Sequence, residues 1–271
     1  MSVSVTVPSN ETLNKDVQNR VKKLQKLVLE DDVLKKLRTE EIYLLRFLRC
    51  ENFNVAEALQ RIKAYCNLLI DQPLWFGKAS PLEKKEKIEF KDKVFLGGRD
   101  KAGRPVLILK TGKIRVSDTK FAEQAVILDY WFELVLDDSQ TQAAGVSAIV
   151  DMDGYSWKYL SWFTPSNVRV AAKKMNLYPI RDIVIHVVNT SLLLNASIKI
   201  IWPFLNERLK NMFKFHFANW SSLHEHINPD ILPPEYGGNG PERDFEDGIR
   251  ILFDQDDMIA AKLKYRQAFS K

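Results

Sequence analysis

Apolar positions recur at helical spacing over residues 13–75 and change to short continuous runs after about residue 94. In the first region, positions 17, 21, 24 and 28 share one face of a helix, and Asn54 is a typical N-cap of a further helix that Pro73 ends. The pattern predicts a small helical domain over 13–75. A flexible tail is predicted over 1–12, and a charged, partly helical connecting segment over 76–93.

Short apolar runs alternate with amphipathic stretches between residues 94 and 240. The runs at 105–109, 146–150 and 183–188 predict buried strands, whereas the glycines of 97–104 indicate a turn-rich stretch. Helices are predicted at 119–137 and from Thr164 to about Met175. Strands that alternate with helices pair in parallel, so the predicted fold class is α/β, with a mostly parallel sheet flanked by helices. Residues 241–271 form an acidic C-terminal segment with a terminal helix.

The segment 192–204 is apolar around nearly the whole circumference of a helix, although a surface helix has one apolar face. Two structures fit this pattern equally. One is a core helix of an α/β domain, and the other is a lid with its inner face over a cavity and its outer face on a bilayer. Arg208, Lys210 and Lys214 follow the segment, and cations at a bilayer surface contribute about 1 kcal/mol each to binding anionic headgroups.

Composition narrows the class of protein. The 271 residues carry 40 Lys+Arg against 35 Asp+Glu, a net charge of +5, which fits an anionic partner without choosing between a membrane and a nucleic acid. No run of 18 apolar residues and no secretory signal is recognised, and two cysteines cannot form a disulfide framework, so we expect a cytoplasmic protein. Nucleic-acid binding is disfavoured because basic residues are interspersed with acidic ones.

The sequence lacks the common catalytic motifs. No nucleophile elbow, phosphate-binding glycine loop or dinucleotide fingerprint occurs. His224 and His226 are two residues apart, so a helix would place them on different faces, which disfavours a metal site. His186 is interpreted as a satisfied core histidine, and Asp151 and Asp153 as parts of a turn. We therefore predict no enzyme activity, no metal ion and no cofactor.

Seven short motifs stand in a characteristic order. They are LLRFLR at 44–49, GRPV at 103–106, IVDMDG at 149–154, YPIR at 178–181, HVVN at 186–189, PFL at 203–205 and LPPEYGG at 232–238. Together they resemble the CRAL-TRIO, or Sec14-like, lipid-transfer family, in particular its animal branch of alpha-tocopherol transfer protein, clavesins and cellular retinaldehyde-binding protein. The resemblance implies a helical N-terminal domain packed on an α/β domain whose lipid cavity lies under a mobile gate helix.

The resemblance also implies a function and partners. We expect the chain to bind a hydrophobic small molecule or lipid, such as a tocopherol, retinoid or carotenoid, and to transfer it between membranes as a monomer. The predicted membrane and phosphoinositide contacts are Arg49, Arg181, Arg208, Lys210 and Lys214. Two positions that are basic in the tocopherol carrier are Ile183 and Met212 here, which leaves open whether phosphoinositides drive exchange.

The predicted cavity wall consists of aromatic and aliphatic residues with two polar anchors for a ligand oxygen, Tyr178 and Ser197. Its residues are Leu128, Trp131, Phe132, Val150, Trp157, Phe163, Tyr178, Ile180, Ile185, Leu194, Ser197, Ile200 and Ile201. Two other functions stay open. One is a membrane-recruited lipid sensor or adaptor that regulates trafficking through a protein partner, and the other is an enzyme acting on a lipid, for which no catalytic pair is visible.

Overall fold

The computed structural model of the chain describes residues 14–217 and 219–269, so the tail predicted for 1–12 lies outside the described residues. The described part begins with three helices that pack on one another through their apolar stripes: α1 (Lys15–Leu29), α2 (Glu41–Cys50) and α3 (Val55–Asp71). Asn54 caps α3 as predicted, because its side chain accepts hydrogen bonds from the backbone N–H groups of Ala56 and Glu57. The helix ends two residues before Pro73.

A sheet lies at the centre of the remaining chain. Within the described residues its strands, in spatial order, are β1 (Lys93–Arg99), β2 (Pro105–Lys110), β3 (Val146–Asp151), β4 (Ile183–Val188) and β5 (Phe213–Phe217). The first pair is antiparallel and the other three are parallel. The predicted α/β class with a mostly parallel sheet is therefore confirmed.

Two of these strands were not predicted from the sequence. β1 includes the glycine pair 97–98, which by itself indicates a turn. Gly98 is needed in the strand because a Cβ there would stand 2.8 Å from the Ile231 side chain, which packs on it. β5 lies in the cationic stretch after residue 204, where phenylalanines alternate with lysine and histidine and so occupy opposite faces of the sheet.

The helices that follow the N-terminal three surround the sheet. They are α4 (Lys85–Ile88), α5 (Phe121–Val135), α6 (Ser139–Ala144), α7 (Pro165–Leu177), α8 (Leu192–Ile201), α9 (Glu207–Asn211), α10 (Trp220–His224), α11 (Phe245–Asp254) and α12 (Asp256–Leu263). Thr164 caps α7 as expected, with its hydroxyl accepting from the N–H of Asn167 at 3.2 Å. A 3-10 turn, Trp202–Phe204, continues α8.

The two faces of the sheet have different surroundings. On one face, side chains such as Ile185 of β4 and Phe215 of β5 point toward α5, α7 and α8. On the other face, a closely packed cluster forms beneath the segment 220–240. Its fully buried members are Val94, Val106, Ile108, Ile149, Val188, Leu223, Ile227, Leu232 and Tyr236.

The N-terminal helices are joined to this α/β part by a buried ion pair. Arg46 of α2 donates through both terminal nitrogens to the two carboxylate oxygens of Glu133 on α5, each at 3.0 Å. The Arg46 guanidinium lowers the pKa of Glu133, against the opposing effect of burial. This bidentate geometry fixes α5 against the helical layer.

Candidate functional site

A cavity of about 400 Å³ lies between one face of the sheet and helices α5, α7 and α8. Alternate residues of β2 to β5 form its floor, because every second side chain of a strand points to the same face. They are Leu107, Leu109, Ala148, Val150, Ile183, Ile185, Val187, Phe213 and Phe215. The volume falls in the usual range of small-molecule sites, and the floor is wholly apolar.

Helix α8 closes one side of this cavity. Leu194, Ser197 and Ile201 point inward and line it. Leu192 and Ile200 point away from it and are 88% and 39% exposed, so the outer face of the helix presents apolar side chains beside the exposed Asn195 and Lys199. Over 14–217 and 219–269, neither this helix nor any other has the length and apolarity needed to cross a bilayer.

A hydrogen bond joins α8 to the wall beneath it. The Tyr155 hydroxyl and Ser197 Oγ are 2.6 Å apart, and burial raises the pKa of Tyr155, which keeps the phenol neutral. Tyr178, the other predicted anchor, is buried, and its hydroxyl accepts from the Arg266 guanidinium at 3.2 Å. Both predicted polar anchors thus line the cavity and are already hydrogen-bonded within the protein.

Two buried lysines of the wall were not identified from the sequence. Lys93 Nζ donates to Gln124 Oε1 at 2.6 Å and to the Asp92 carboxylate. Lys174 Nζ stands 2.8 Å from Asp129, and burial lowers the pKa of Lys174 to about 8 although Asp129 raises it. The other polar wall residues absent from the prediction are Thr111, Gln124, Asp129, Tyr155 and Tyr159.

The spacing of each lysine from an apolar neighbour could have identified it. Lys93 stands two residues before Phe95, so recognition of β1 would have placed both on one face of the sheet. Lys174 follows Ala171 by three residues and therefore shares the cavity face of α7.

Most of the predicted wall residues do line the cavity. They are Leu128, Phe132, Val150, Phe163, Tyr178, Ile185, Leu194, Ser197 and Ile201. That these residues bind a ligand stays a prediction.

Four predicted wall residues lie elsewhere. Trp131 is buried on the side of α5 that packs against Phe95 and the C-terminal helices. Trp157 lies in a 3-10 turn and is 68% exposed, and Ile200 is on the outer face of α8. Ile180 is buried in the packed core just after Tyr178, outside the cavity lining. Apolar character alone did not distinguish these positions from true wall positions.

The five predicted basic contacts do not form a single group. Arg49 and Arg181 line a second pocket, of about 410 Å³, beside α2 and α6. Arg208 is near them, since its charge and that of Arg181 both act on the Cys50 thiol, whose pKa burial nevertheless raises to about 11. The Arg208 guanidinium donates to the backbone oxygen of Asn176 at 3.1 Å. The structure therefore places the exposed Arg181 and Arg208 on the same side of the molecule, whereas Arg49 is buried.

Lys210 and Lys214 make other contacts. Lys210 Nζ forms an ion pair with Glu207 at 2.9 Å. Lys214 belongs to the opposite face of the sheet from the cavity, where its charge contributes to lowering the pKa of His186. Contact of either lysine with a membrane stays a prediction.

Three histidines lie together on the closely packed face. The ring centroid of His186 is 5.1 Å from that of His216 and 5.2 Å from that of His226. His186 Nδ1 is 2.8 Å from His216 Nε2, whereas His186 Nε2 has no hydrogen-bond partner among the described residues. Only one of the two ring nitrogens of this core histidine is therefore hydrogen-bonded within these residues. Burial lowers the pKa of His186 to about 3 and that of His216 to about 4. In the described part of the chain, no three His, Cys, Asp or Glu side chains are arranged to hold a metal ion.

Asp151, at the end of β3, is held by structural contacts. Its carboxylate accepts hydrogen bonds from the backbone N–H of Asp153 at 3.0 Å, from Asn189 at 2.8 Å and from the Tyr236 hydroxyl at 2.9 Å. The first bond closes the turn after the strand, as the sequence indicated, and the other two join that turn to the segments after β4 and around Tyr236.

Comparison with known proteins agrees with this geometry. The family model for the CRAL/TRIO domain matches residues 89–238. Clavesin-1 of Xenopus laevis is 30% identical over 91% of this chain and 74% of its own length, and clavesin-2 of Homo sapiens is 30% identical over 91% and 75%. The solved structure of Sfh5 shares the fold, with a TM-score of 0.59 over 91% of this chain and 98% of that chain at 13% identity. The chain therefore belongs to the CRAL/TRIO, or Sec14-like, family of lipid-binding proteins.

Proposed function

We propose that this protein holds a hydrophobic small molecule or lipid in the cavity and transfers it between membranes, with α8 as the gate. The observation that carries the proposal is a largely apolar cavity of about 400 Å³ closed by a helix that lines it with apolar side chains and also exposes Leu192 and Ile200 to solvent. A helix that merely completed a core would leave no such volume beneath it and would have no reason to present Leu192 and Ile200 to solvent.

The energetics of an apolar ligand favour such a carrier. Exposure to water costs about 0.8 kcal/mol per methylene, or about 13 kcal/mol for a chain of 16 methylenes. Transfer through water is therefore slow, whereas exchange between a bilayer and an equally apolar cavity is nearly balanced. Small differences in affinity then decide whether the protein loads or unloads.

The same energetics supply a trigger for opening. In water, an open gate would expose inward side chains such as Leu194 and Ile201, each worth about 1.5–3 kcal/mol of burial. At a bilayer, lipid tails replace these lost contacts, while Arg181 and Arg208 meet anionic headgroups. In this proposal the protein is a cytoplasmic monomer that visits membranes transiently and catalyses no reaction.

The test is transfer of a pyrene-labelled long-chain alcohol between donor and acceptor vesicles containing anionic lipid. Ile200→Asp places a charge on the outer face of α8 and should reduce the transfer rate at least tenfold while ligand binding persists, because a carboxylate is costly at the bilayer. Leu74→Asp is the matched control, since Leu74 is an aliphatic residue that is 80% exposed and distant in sequence from α8. This control should transfer at the wild-type rate.

Two results would contradict the proposal. Wild-type transfer by Ile200→Asp would refute the assignment of α8 as the gate. Tight binding of the probe by the unmodified protein, with no acceleration of transfer, would instead favour the lipid sensor or adaptor.

A further inference from the structure

A buried lysine lines the cavity, and one of its N–H groups makes no hydrogen bond within the described residues. Lys93, at the start of β1, has a side chain that is only 1% exposed. Its ammonium group carries three N–H donors, of which one goes to Gln124 and one to Asp92. Across 14–217 and 219–269, no acceptor is hydrogen-bonded to the third.

A gain in folding stability does not explain why Lys93 is buried. Removing an ammonium and a carboxylate from water costs several kcal/mol per ion, and buried pairs can often be replaced by apolar residues without loss. The Asp92 side chain is 2% exposed, so the pair is fully buried. In a ligand site, however, a few polar groups in an apolar wall fix the orientation of the ligand.

The other lysine and two of the hydroxyl groups of the wall are bonded within the protein. Lys174 has three polar partners, because it donates to two backbone carbonyls and forms an ion pair with Asp129 Oδ1 at 2.8 Å. Tyr155 and Ser197 bond each other. Lys93 is thus the lysine of the wall with a hydrogen bond still to give.

The position of Lys93 defines a direction within the cavity. β1 is the edge strand, and three strand spacings, ~14 Å at about 4.8 Å each, separate it from β4, after which α8 begins. A ligand with its polar end at Lys93 would extend its apolar tail toward α8.

The charge balance of the site selects the type of polar end. Asp92 already neutralises Lys93, so a carboxylate or phosphate would bring a second anion beside Asp92 at low dielectric. A hydroxyl or carbonyl oxygen accepts the third N–H of Lys93 without that repulsion. We propose that Lys93, with Asp92 and Gln124, is a headgroup subsite for the neutral oxygen of a single-tailed alcohol, aldehyde or ketone lipid. This inference rests on the proposed function of the cavity.

The test uses three probes with the same number of carbon atoms, namely hexadecane, 1-hexadecanol and palmitate. The binding of each probe is measured by its displacement of an apolar fluorescent dye from the full-length protein. Lys93→Met removes the donor with little change of shape. Asp92→Asn combined with Lys93→Met removes both charges, so that a folding defect from an unpaired carboxylate is avoided. Lys91→Met is the matched control, because Lys91 is a nearby exposed lysine paired with Glu246.

We expect both Lys93 variants to weaken 1-hexadecanol about tenfold relative to hexadecane, the size of one charge-assisted hydrogen bond. Lys91→Met should leave the ratio unchanged. An unchanged ratio in the Lys93 variants overturns the subsite while the carrier proposal stands. A greater loss for palmitate than for 1-hexadecanol in the double variant overturns the neutral headgroup. Failure of all three probes to displace the dye from the wild type refutes both proposals.

Discussion

The hydrogen bond between Tyr155 and Ser197 is expected to hold α8 in the closed position. The two oxygens are 2.6 Å apart, and Ser197 is fully buried. In Tyr155→Phe, Ser197 Oγ would still donate to the Leu193 carbonyl, at 3.3 Å, so no polar atom is orphaned. The loss should then be about 1 kcal/mol, the net worth of one neutral hydrogen bond, which corresponds to about a fivefold increase in the open population.

Backbone hydrogen exchange in α8 measures this population directly. In the ligand-free protein, Tyr155→Phe should exchange the α8 amides about fivefold faster, because exchange requires the helix to leave the wall. Vesicle-to-vesicle transfer should accelerate by a similar factor if opening limits the rate. Ser197→Ala combined with Tyr155→Phe should add little, because each variant removes the same bond.

Tyr159 provides the control. Its ring stacks on that of Tyr155 with centroids 4.7 Å apart, but its hydroxyl donates to the Thr111 carbonyl rather than to α8. Tyr159→Phe should therefore leave α8 exchange unchanged. The reasoning fails if Tyr155→Phe exchanges at the wild-type rate, or if Tyr159→Phe accelerates α8 equally.

Two further predictions concern stability. Arg46→Met should lower the free energy of unfolding in denaturant titrations by about 3–5 kcal/mol, because Glu133 would keep a buried charge without its bidentate partner. Lys35→Met, which breaks an exposed ion pair, should change it by less than about 0.5 kcal/mol, and equal losses would contradict the argument. The second prediction concerns pH. In the folded protein the pKa values of His186 and His216 are about 3 and about 4, below the unfolded value near 6.5. Between about pH 4 and 6.5 the unfolded state therefore binds more protons than the folded state. Stability should thus fall as the pH drops below about 6.5 toward 4, with a limiting slope of about 1.4 kcal/mol per unit for each histidine, and His216→Gln should flatten that slope.

The sequence predicted the parts of the fold that depend on local pattern. β2, β3 and β4 are buried on both faces and appear as continuous apolar runs bounded by turn residues. β1 and β5 are the edge strands, and their order in the sheet depends on tertiary contacts. The glycine pair in β1 suits a strand only because Ile231 packs across it, and Ile231 is more than a hundred residues away along the chain.

The site was predictable only in part for the same reason. Ile200 and Ile201 are neighbours of the same type, yet one faces solvent and the other the cavity. α5 is apolar on most of its surface, so periodicity could not separate Leu128, which lines the cavity, from Trp131, which faces the C-terminal helices. Lys93 was missed because its burial depends on Asp92 and Gln124.

The unlike surroundings of the two sheet faces have a mechanical consequence. One layer, beneath the segment 220–240, is filled by its own side chains whether or not a guest molecule is present. Only the layer that contains the cavity changes when a ligand binds or leaves. The ligand-free protein should therefore keep its strand pairing and its packed layer intact. It can then bind a new ligand at a donor membrane without refolding.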